Sequence, residues 1–476
     1  MTNSPDPVFA TLPLDPRTFG SYRKILFLSG PLILSHLGVM VMQMVDGLFL
    51  ARYSKNAIAA VGPAGMDFWV LCGFCMGLVG YTNTFVAQYM GANRPQRVGA
   101  AVWQGIYLAC GAAVLLFAAS FAAPWVFNMV GHEEAIQRDE VVYFTILCYG
   151  GLAFMLSGAL AGFFAGRNDN VHLMTALITG NIVNAVGAWA MVFGHLGFPE
   201  MGMRGAALAT VAGQTIQVLI MAWLFFRPRF RRDFATWRDR KLDPRLMARM
   251  CAYGLPNGVR YVAEILAWAI FLQLLGRADS DGLAASNIVW RINGLAFFPV
   301  IGLANAVSML VGQAQGAGRP DLSRQVTRRG IMLGQIWMTA AALLMVLIPH
   351  VLLNIFLEPG ATTDHELRGL AVILLRFVAV YCLLDGVNIM LMAVLAGAGD
   401  TQWMLWASGA VHLGFIIMLA VLAWYQAGVY AFWTAATVFI CSAIWVWIIR
   451  FRSDKWESKR VIEHKPLDLE TTPVPG

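Results

Sequence analysis

Apolar runs long enough to cross a bilayer recur from one end of this 476-residue chain to the other. A spanning helix needs about 20 mostly apolar residues. Twelve such runs are readable, at 24–51, 63–90, 98–127, 141–166, 171–198, 204–226, 248–275, 285–313, 329–356, 367–396, 402–425 and 428–450. Composition agrees: 58% of the residues are hydrophobic and 13% charged, about half the roughly 25% charge of a soluble domain. No water-soluble fold can bury that much apolar surface and still cover itself with polar groups. The expected fold class is an all-α polytopic membrane protein. Residues 1–23 and 451–476 are short tails, 227–247 is a basic connector, and none has room for a nucleotide-binding domain. None of the six lysines (Lys24, Lys55, Lys241, Lys455, Lys459 and Lys465) follows a glycine-rich phosphate-binding loop. An ATP-driven pump in one chain is excluded. The first stretch holds Pro5, Pro7, Pro13 and Pro16 and lacks a basic region leading into a short apolar core, so no cleavable signal peptide is expected.

Charge orients the helices. With the amino terminus inside, 25 of the 34 Lys and Arg fall in inner segments, nine of them in Arg227–Arg249. The outer segments hold Arg52, Lys55, Arg138, Arg204, Arg277 and Arg368, together with acids such as Glu133, Glu134, Asp139, Glu140, Asp364 and Glu366. By the positive-inside rule both tails are cytoplasmic, and the net charge of +7 is an orientation signal rather than a nucleic-acid patch. The connector is expected to lie at the headgroups as an amphipathic or irregular segment with Trp237. The seven cysteines lie mostly in apolar runs and read as small buried hydrophobes, including Cys72 and Cys75 of a lone C-x-x-C.

The chain is duplicated. Gly91-Ala-Asn-Arg-Pro95 recurs as Gly316-Ala-Gly-Arg-Pro320, an offset of 225, each after a helix end containing glutamine (Gln88, Gln313). Pro31 maps onto Pro256 at the same offset; Ala165-Gly166-Arg-Asn-Asp169 resembles Ala396-Gly397-Ala-Gly-Asp400 at 231; and Gly202 maps onto Gly428. Six helices per repeat is an even number, so the repeats are parallel, related by an axis along the membrane normal, as in some secondary transporters. The amino-terminal lobe is 24–226 and the carboxy-terminal lobe 248–450.

A charge at mid-membrane costs about 2.5–3.5 kcal/mol on insertion scales, so each one needs a reason. Asp46 has no basic residue within one turn, and Asp385 lies four residues after Tyr381. Arg260 and Glu264 are spaced to pair on one helix face. Arg291 and Arg376 are read as structural or snorkelling, and His36 and His412 as core histidines. Burial opposes ionisation of a carboxyl group while a nearby cation favours it, so protonation and cation binding compete at such a site. Gln43, Asn184 and Tyr381 supply neutral oxygens of the kind hard cations prefer. At the 225 offset Asp46 corresponds to Phe271 and Glu264 to Val39, so the acids are not duplicated. Pro31 and Pro256 are expected to interrupt spanning helices where they line a cavity.

Val45-Asp46-Gly-Leu-Phe-Leu-Ala51, Gly91-Ala-Asn-Arg-Pro95, Gly254-Leu-Pro256 with Glu264, and Tyr381 through Asp385 together resemble the multidrug and toxic compound extrusion (MATE) family, NorM-type branch. The resemblance implies twelve helices in two six-helix lobes around a central cleft, and cation-coupled export of small organic cations or toxins from a bacterial inner membrane, with the protein working as a monomer. It implies ion and substrate roles for Asp46, Glu264 and Asp385. Tyr381 joins a Na+ site with the latter two, and Asn184 faces the amino-terminal site. This chain departs from the family pattern at Val39 (with Gln43 as substitute), at Ala188, and at Arg260 beside Glu264, which could neutralise the acid; the coupling ion is Na+ or H+, with Na+ slightly favoured. No cofactor and no nucleic-acid partner are expected. The alternative is the same architecture moving a lipid-linked precursor or metabolite, for which Arg260, Arg291 and Arg376 are the motivation. An intramembrane aspartyl protease, suggested by Gly397-Ala-Gly-Asp400, needs a second acid to share a proton. Asp169 and Asp400 read instead as caps at inner helix ends.

Overall fold

Runs that are apolar on every side form helices whose packing and lipid contacts leave no polar face to satisfy. The computed structural model describes residues 15, 17–130, 132–355 and 364–463. The amino-terminal half holds α1 (Tyr22–Tyr53), α2 (Lys55–Val79), α3 (Thr82–Gly91), α4 (Gln96–Ser120), α5 (Ala123–Val130), α6 (Glu134–Tyr149), α7 (Gly151–Gly166), α8 (Asn170–Phe193) and α9 (Met203–Phe225). A short α10 (Pro228–Phe234) follows. Then come α11 (Pro244–Ala278), α12 (Ser280–Gly316), α13 (Pro320–Leu347), α14 (Pro349–Leu353), α15 (Asp364–Ala398), α16 (Thr401–Trp424) and α17 (Val429–Arg452). Local chemistry sets several starts. The Ser21 hydroxyl accepts from the Lys24 N–H at 3.2 Å, and the Asp243 carboxylate accepts from the Arg245 and Leu246 N–H groups, both at 3.1 Å.

Among the described residues, eleven helices are long and apolar enough to cross a membrane, with α2 and α3 counted as one. The pair α6 and α7, bent by 46° at Gly150, makes a twelfth. These are the twelve expected spans in two repeats of six. The expected interruptions at Pro31 and Pro256 differ, because α1 and α11 run through both prolines as continuous helices. The broken span is the one carrying Gly150 and Gly151, where a side chain on Gly150 would strike Val211.

The lobes meet through α1 against α12, α2 against α11, and α3 against α12, and these contacts obey the 225-residue offset. Gly77 abuts Gly258 as Gly302 abuts Ile33. A Cβ on Gly91 would lie 1.8 Å from the Gln313 carbonyl oxygen, and one on Gly316 would lie 2.0 Å from that of Gln88. Only glycine permits either approach. The glutamine side chains complete the crossing. Gln88 Nε2 donates to the Gly397 carbonyl at 3.2 Å, and Gln313 Nε2 donates to the Gly166 carbonyl at 2.9 Å. The repeated turns also match in backbone: Asn93 (φ 56°) corresponds to Gly318 (φ 69°), and Asn168 (φ 63°) to Gly399 (φ 97°). Asparagine and glycine are the residues that adopt this left-handed conformation readily, which explains why the two copies of each motif differ at that position.

The connector is more ordered than expected. It contains α10 and folds against α4, where Trp103 Nε1 donates to the Thr236 carbonyl at 2.8 Å and Gln104 Nε2 to that of Lys241 at 3.0 Å. The Arg167 guanidinium stacks on Phe163, Phe230 and Phe234 at 3.8, 4.4 and 4.6 Å. Trp237 stays exposed, with Arg231 and Arg240 over its ring at 5.2 and 4.8 Å. The carboxy-terminal tail is likewise partly folded. Residues 453–463 form a strap over the closed crossing, with Trp456 fully buried. The Val461 N–H donates to Gln88 Oε1 at 2.8 Å, and Glu463 accepts from Tyr89 at 3.0 Å and Arg97 at 3.3 Å and pairs with Arg249. Most of the expected amino-terminal tail and the stretch 464–476 lie outside the described residues.

Two measurements test this end of the molecule. Gly91→Leu, and equally Gly316→Leu, should introduce overpacking worth about 1–3 kcal/mol and hold the crossing apart. A cysteine placed at Ala317 should then react several-fold faster with a water-soluble thiol reagent. The second test concerns Glu463. Burial alone raises its carboxyl group, but hydrogen bonds from Arg249 and Tyr89 and the Arg249 charge outweigh burial and hold it down at about 2. A value depressed below the ordinary 4.5 means that the contribution to strap docking is complete above 4.5 and is lost as pH falls through about 2. A spin label at exposed Ser458 should keep its mobility from neutral pH down to about 4.5 and gain mobility below it, whereas Glu463→Gln should free it at neutral pH.

Candidate functional site

The interlobe contacts above all lie between the connector end and the middle of the helices. Beyond that crossing, the polar residues inside the spans collect in two clusters, one per lobe, called below the amino-terminal and carboxy-terminal chambers.

In the amino-terminal chamber, Asp46 comes from the last third of α1 and Asn184 from α8. Asn184 is buried, and its Nδ2 donates to Thr210 Oγ1 on α9 at 3.0 Å. That hydroxyl donates in turn to the Ala206 carbonyl, also at 3.0 Å. Asn184 is the polar neighbour of Asp46, and Tyr143 on α6 faces the same carboxylate. Yet Asp46 Oδ1 and Asn184 Oδ1 are both buried without a hydrogen-bond partner. Leaving a polar oxygen unanswered in a dry site costs free energy, and more so for a carboxylate. Gln43, one turn earlier on α1, is exposed and makes no bond to Asp46.

In the carboxy-terminal chamber, α11 presents Arg260 and Glu264, paired at 3.0 Å between Nη1 and Oε2. α15 presents Tyr381 and Asp385, both buried. Asp385 Oδ1 accepts from Asn388 Nδ2 at 2.8 Å, and its charge is felt by Tyr381 and interacts with that of Glu264. Arg291 and Arg376 are exposed and take part in no ion pair among the described residues. The lobes touch between the chambers, where the His36 ring and the Asn305 amide lie 3.1 Å apart. His412 is buried, with Nδ1 2.7 Å from the Ser408 carbonyl.

The unduplicated acids have a packing counterpart. Where the amino-terminal lobe has Asp46, the carboxy-terminal lobe has Phe271, fully buried among Trp268, Trp290, Phe415 and Trp433. At this one position an acid in the first lobe is matched by an aromatic core in the second, whose acids stand elsewhere on α11 and α15. Sequence reasoning missed Thr210, Tyr143, Asn305 and Asn388. Asn388 had a signal, lying three residues after Asp385 on the same helix face. Thr210 and Tyr143 had none, because they reach Asp46 only through the packing of α9 and α6.

The other acids flagged in the sequence are structural. Asp400 makes a two-point pair with Arg450, Nε to Oδ2 at 2.6 Å and Nη2 to Oδ1 at 3.0 Å, and Asp169 pairs with Arg167 at 2.9 Å. Both occupy N-cap positions, but neither side chain caps its helix. The arginine holds the carboxylate instead. No group of three or more His, Cys, Asp or Glu able to hold a metal ion occurs among the described residues, and Cys72 and Cys75 are buried free thiols.

Two parallel six-helix lobes, sealed together at one end and holding separate acids in facing chambers, define a membrane transporter. The profile of the MatE family matches residues 31–190 and 256–422. These two stretches begin at Pro31 and Pro256, the same offset that relates the lobes. The chain belongs to the MatE family, whose members are transporters and not enzymes. It is 29% identical over 383 residues to a probable multidrug resistance protein NorM of Brucella suis, covering 79% of this chain and 81% of that protein. To a protein of the same description from Pseudomonas syringae pv. tomato it is 27% identical over 442 residues, covering 90% and 95%. A solved structure described as the outward-facing conformation of a multidrug resistance MATE family transporter superposes with a TM-score of 0.84 at 19% identity, covering 94% of this chain and 99% of that one.

The division between structural and functional acids can be measured. Asp400→Asn leaves the buried Arg450 without its counter-charge and should cost about 3–5 kcal/mol, seen as a marked drop in the thermal unfolding temperature. Asp46→Asn keeps the side chain's size and breaks no ion pair, and should leave that temperature nearly unchanged.

Proposed function

We propose that this transporter is a cation-coupled secondary antiporter, driven by Na+ or H+, that exports small organic cations by alternating access. The observation that carries the reading is Asp46, whose Oδ1 is buried beside Asn184 with no partner. A carboxylate so placed has no basic partner in a medium that screens poorly, and it is stabilised by whichever cation reaches it. An inorganic ion or proton entering from one side and an organic cation leaving from the other compete for the same charge. Competition of this kind is what antiport requires. The second candidate site comprises Glu264, Asp385 and Tyr381.

Three further facts support the reading. Relatives carry the description multidrug resistance protein NorM. The 24 Met and 16 Trp offer adaptable apolar walls to varied cargo. The basic connector and strap lie at the sealed end, which the positive-inside rule puts in the cytoplasm, so the chambers open outward across a bacterial inner membrane. The protein acts as a monomer in this scheme, since each copy carries both lobes. An anionic, lipid-linked cargo is less well supported, because Arg260 is committed to Glu264.

In proteoliposomes preloaded with a fluorescent organic cation, an imposed Na+ or pH gradient should accelerate its exchange. Asp46→Asn should slow it by about tenfold or more, a loss of roughly 1.4 kcal/mol or greater. Failure of either gradient to drive exchange would remove the antiport reading.

A further inference from the structure

Glu264 is available to a coupling ion only if nothing else holds it, and in this chain something does. Arg260, one helical turn away on α11, places Nη1 3.0 Å from Glu264 Oε2. The arginine side chain is 12% exposed and the glutamate 37%. The arginine is thus the less exposed member of the pair. Its Nε is buried with no acceptor, and among the described residues Glu264 is the one acid paired with Arg260. The other groups facing the pair are Tyr261 on the same helix and Asp385 on α15, the latter already accepting from Asn388. Arg260 and Glu264 therefore cancel, and the chamber keeps the charge of Asp385.

A hard monovalent ion needs several oxygen ligands and gains most where two carboxylates converge. Here a Na+ held by Glu264 would sit about 5 Å from the guanidinium charge, and repulsion at that distance in a partly wet protein site lowers affinity by roughly a hundredfold. We propose that Arg260 sets the ion selectivity of this transporter: its guanidinium stands, as a covalently tethered cation, in the place beside Glu264 that a free Na+ would take, and so shuts Na+ out of the carboxy-terminal chamber. Exchange is then left to the proton. Asp46 takes up one proton as one organic cation leaves, and returns it on the other side. This inference rests on the antiport reading and names its ion.

The test compares full-length wild type with Arg260→Ala, Glu264→Gln and the double variant, measuring radioactive sodium binding to purified protein and cargo exchange under separate Na+ and pH gradients. Wild type should bind no more sodium than Glu264→Gln and respond to the pH gradient alone. Arg260→Ala should bind sodium about a hundredfold more tightly than wild type and acquire a Na+-driven exchange, and the double variant should lose both. If Arg260→Ala does not fold, Arg260→Gln, neutral and of similar length, takes its place, and the wild-type measurement stands by itself. A wild type that binds sodium through Glu264, or a folded Arg260 variant that gains no sodium binding, overturns the proposal. A wild type driven by Na+ alone overturns it too but leaves the antiport reading intact. A wild type driven by neither gradient ends the antiport reading, while the sodium binding of the Arg260 variant still decides the role of the arginine.

Discussion

Everything in this molecule is arranged around the crossing where the two lobes touch. Gly91 and Gly316 let the backbones of α3 and α12 approach until each meets a carbonyl of the other, and Gln88 and Gln313 each reach into the opposite lobe for a carbonyl at a helix end. Van der Waals contact of bare backbone is the strongest helix association available where lipid removes the hydrophobic driving force. The buried amides add hydrogen bonds that lipid cannot replace. Two equivalent contacts on either side of a pseudo-twofold axis hold the lobes at the connector end, and α1 against α12 and α2 against α11 continue the contact to the middle of the helices.

The low dielectric sorts the charges. Where an arginine answers an acid, as Arg450 answers Asp400 and Arg167 answers Asp169, the pair fixes a corner of the fold. Where no arginine answers, as at Asp46, the carboxylate is left with the neutral Asn184 as its polar neighbour. Arg260 and Glu264 differ from both cases, because they pair along a single helix with the glutamate left partly exposed. Duplication supplied the frame but not these charges, and the aromatic cluster around Phe271 shows what fills the same place when no acid is present.

The frame was legible because it is written in local signals. Apolar runs define the spans by length, and the motif Gly91–Pro95 repeats at Gly316–Pro320 because both copies must make the same turn and the same close approach. The bend at Gly150 was missed: a run apolar on both sides of Gly150 and Gly151 reads as one span, and the bend depends on Val211 of α9. The strap reads in sequence only as part of a short tail, since its order comes from partners hundreds of residues away, Gln88 and Tyr89 among them. At the site, the acids and the pairing of Arg260 with Glu264 could be read from helical spacing. Thr210 and Tyr143 could not, because their roles depend on how α9 and α6 pack beside α1.

The helices that carry Asp46 and the Arg260–Glu264 pair are α1 and α11, and these same two helices cross the lobe boundary. Along α1, Ile33 packs on Gly302 and His36 meets Asn305 before Asp46 is reached. Along α11, Arg249 and Tyr253 hold the strap and Gly258 packs on Gly77 before Arg260 and Glu264 are reached. In each lobe one continuous helix therefore joins a charge in the chamber to the contact that keeps the molecule shut. A cation that binds more tightly in one conformation than the other shifts the balance between them by that difference and no more. Because Asp46 and the Arg260–Glu264 pair each share a helix with the crossing, any tilt of α1 or α11 is felt at the crossing directly.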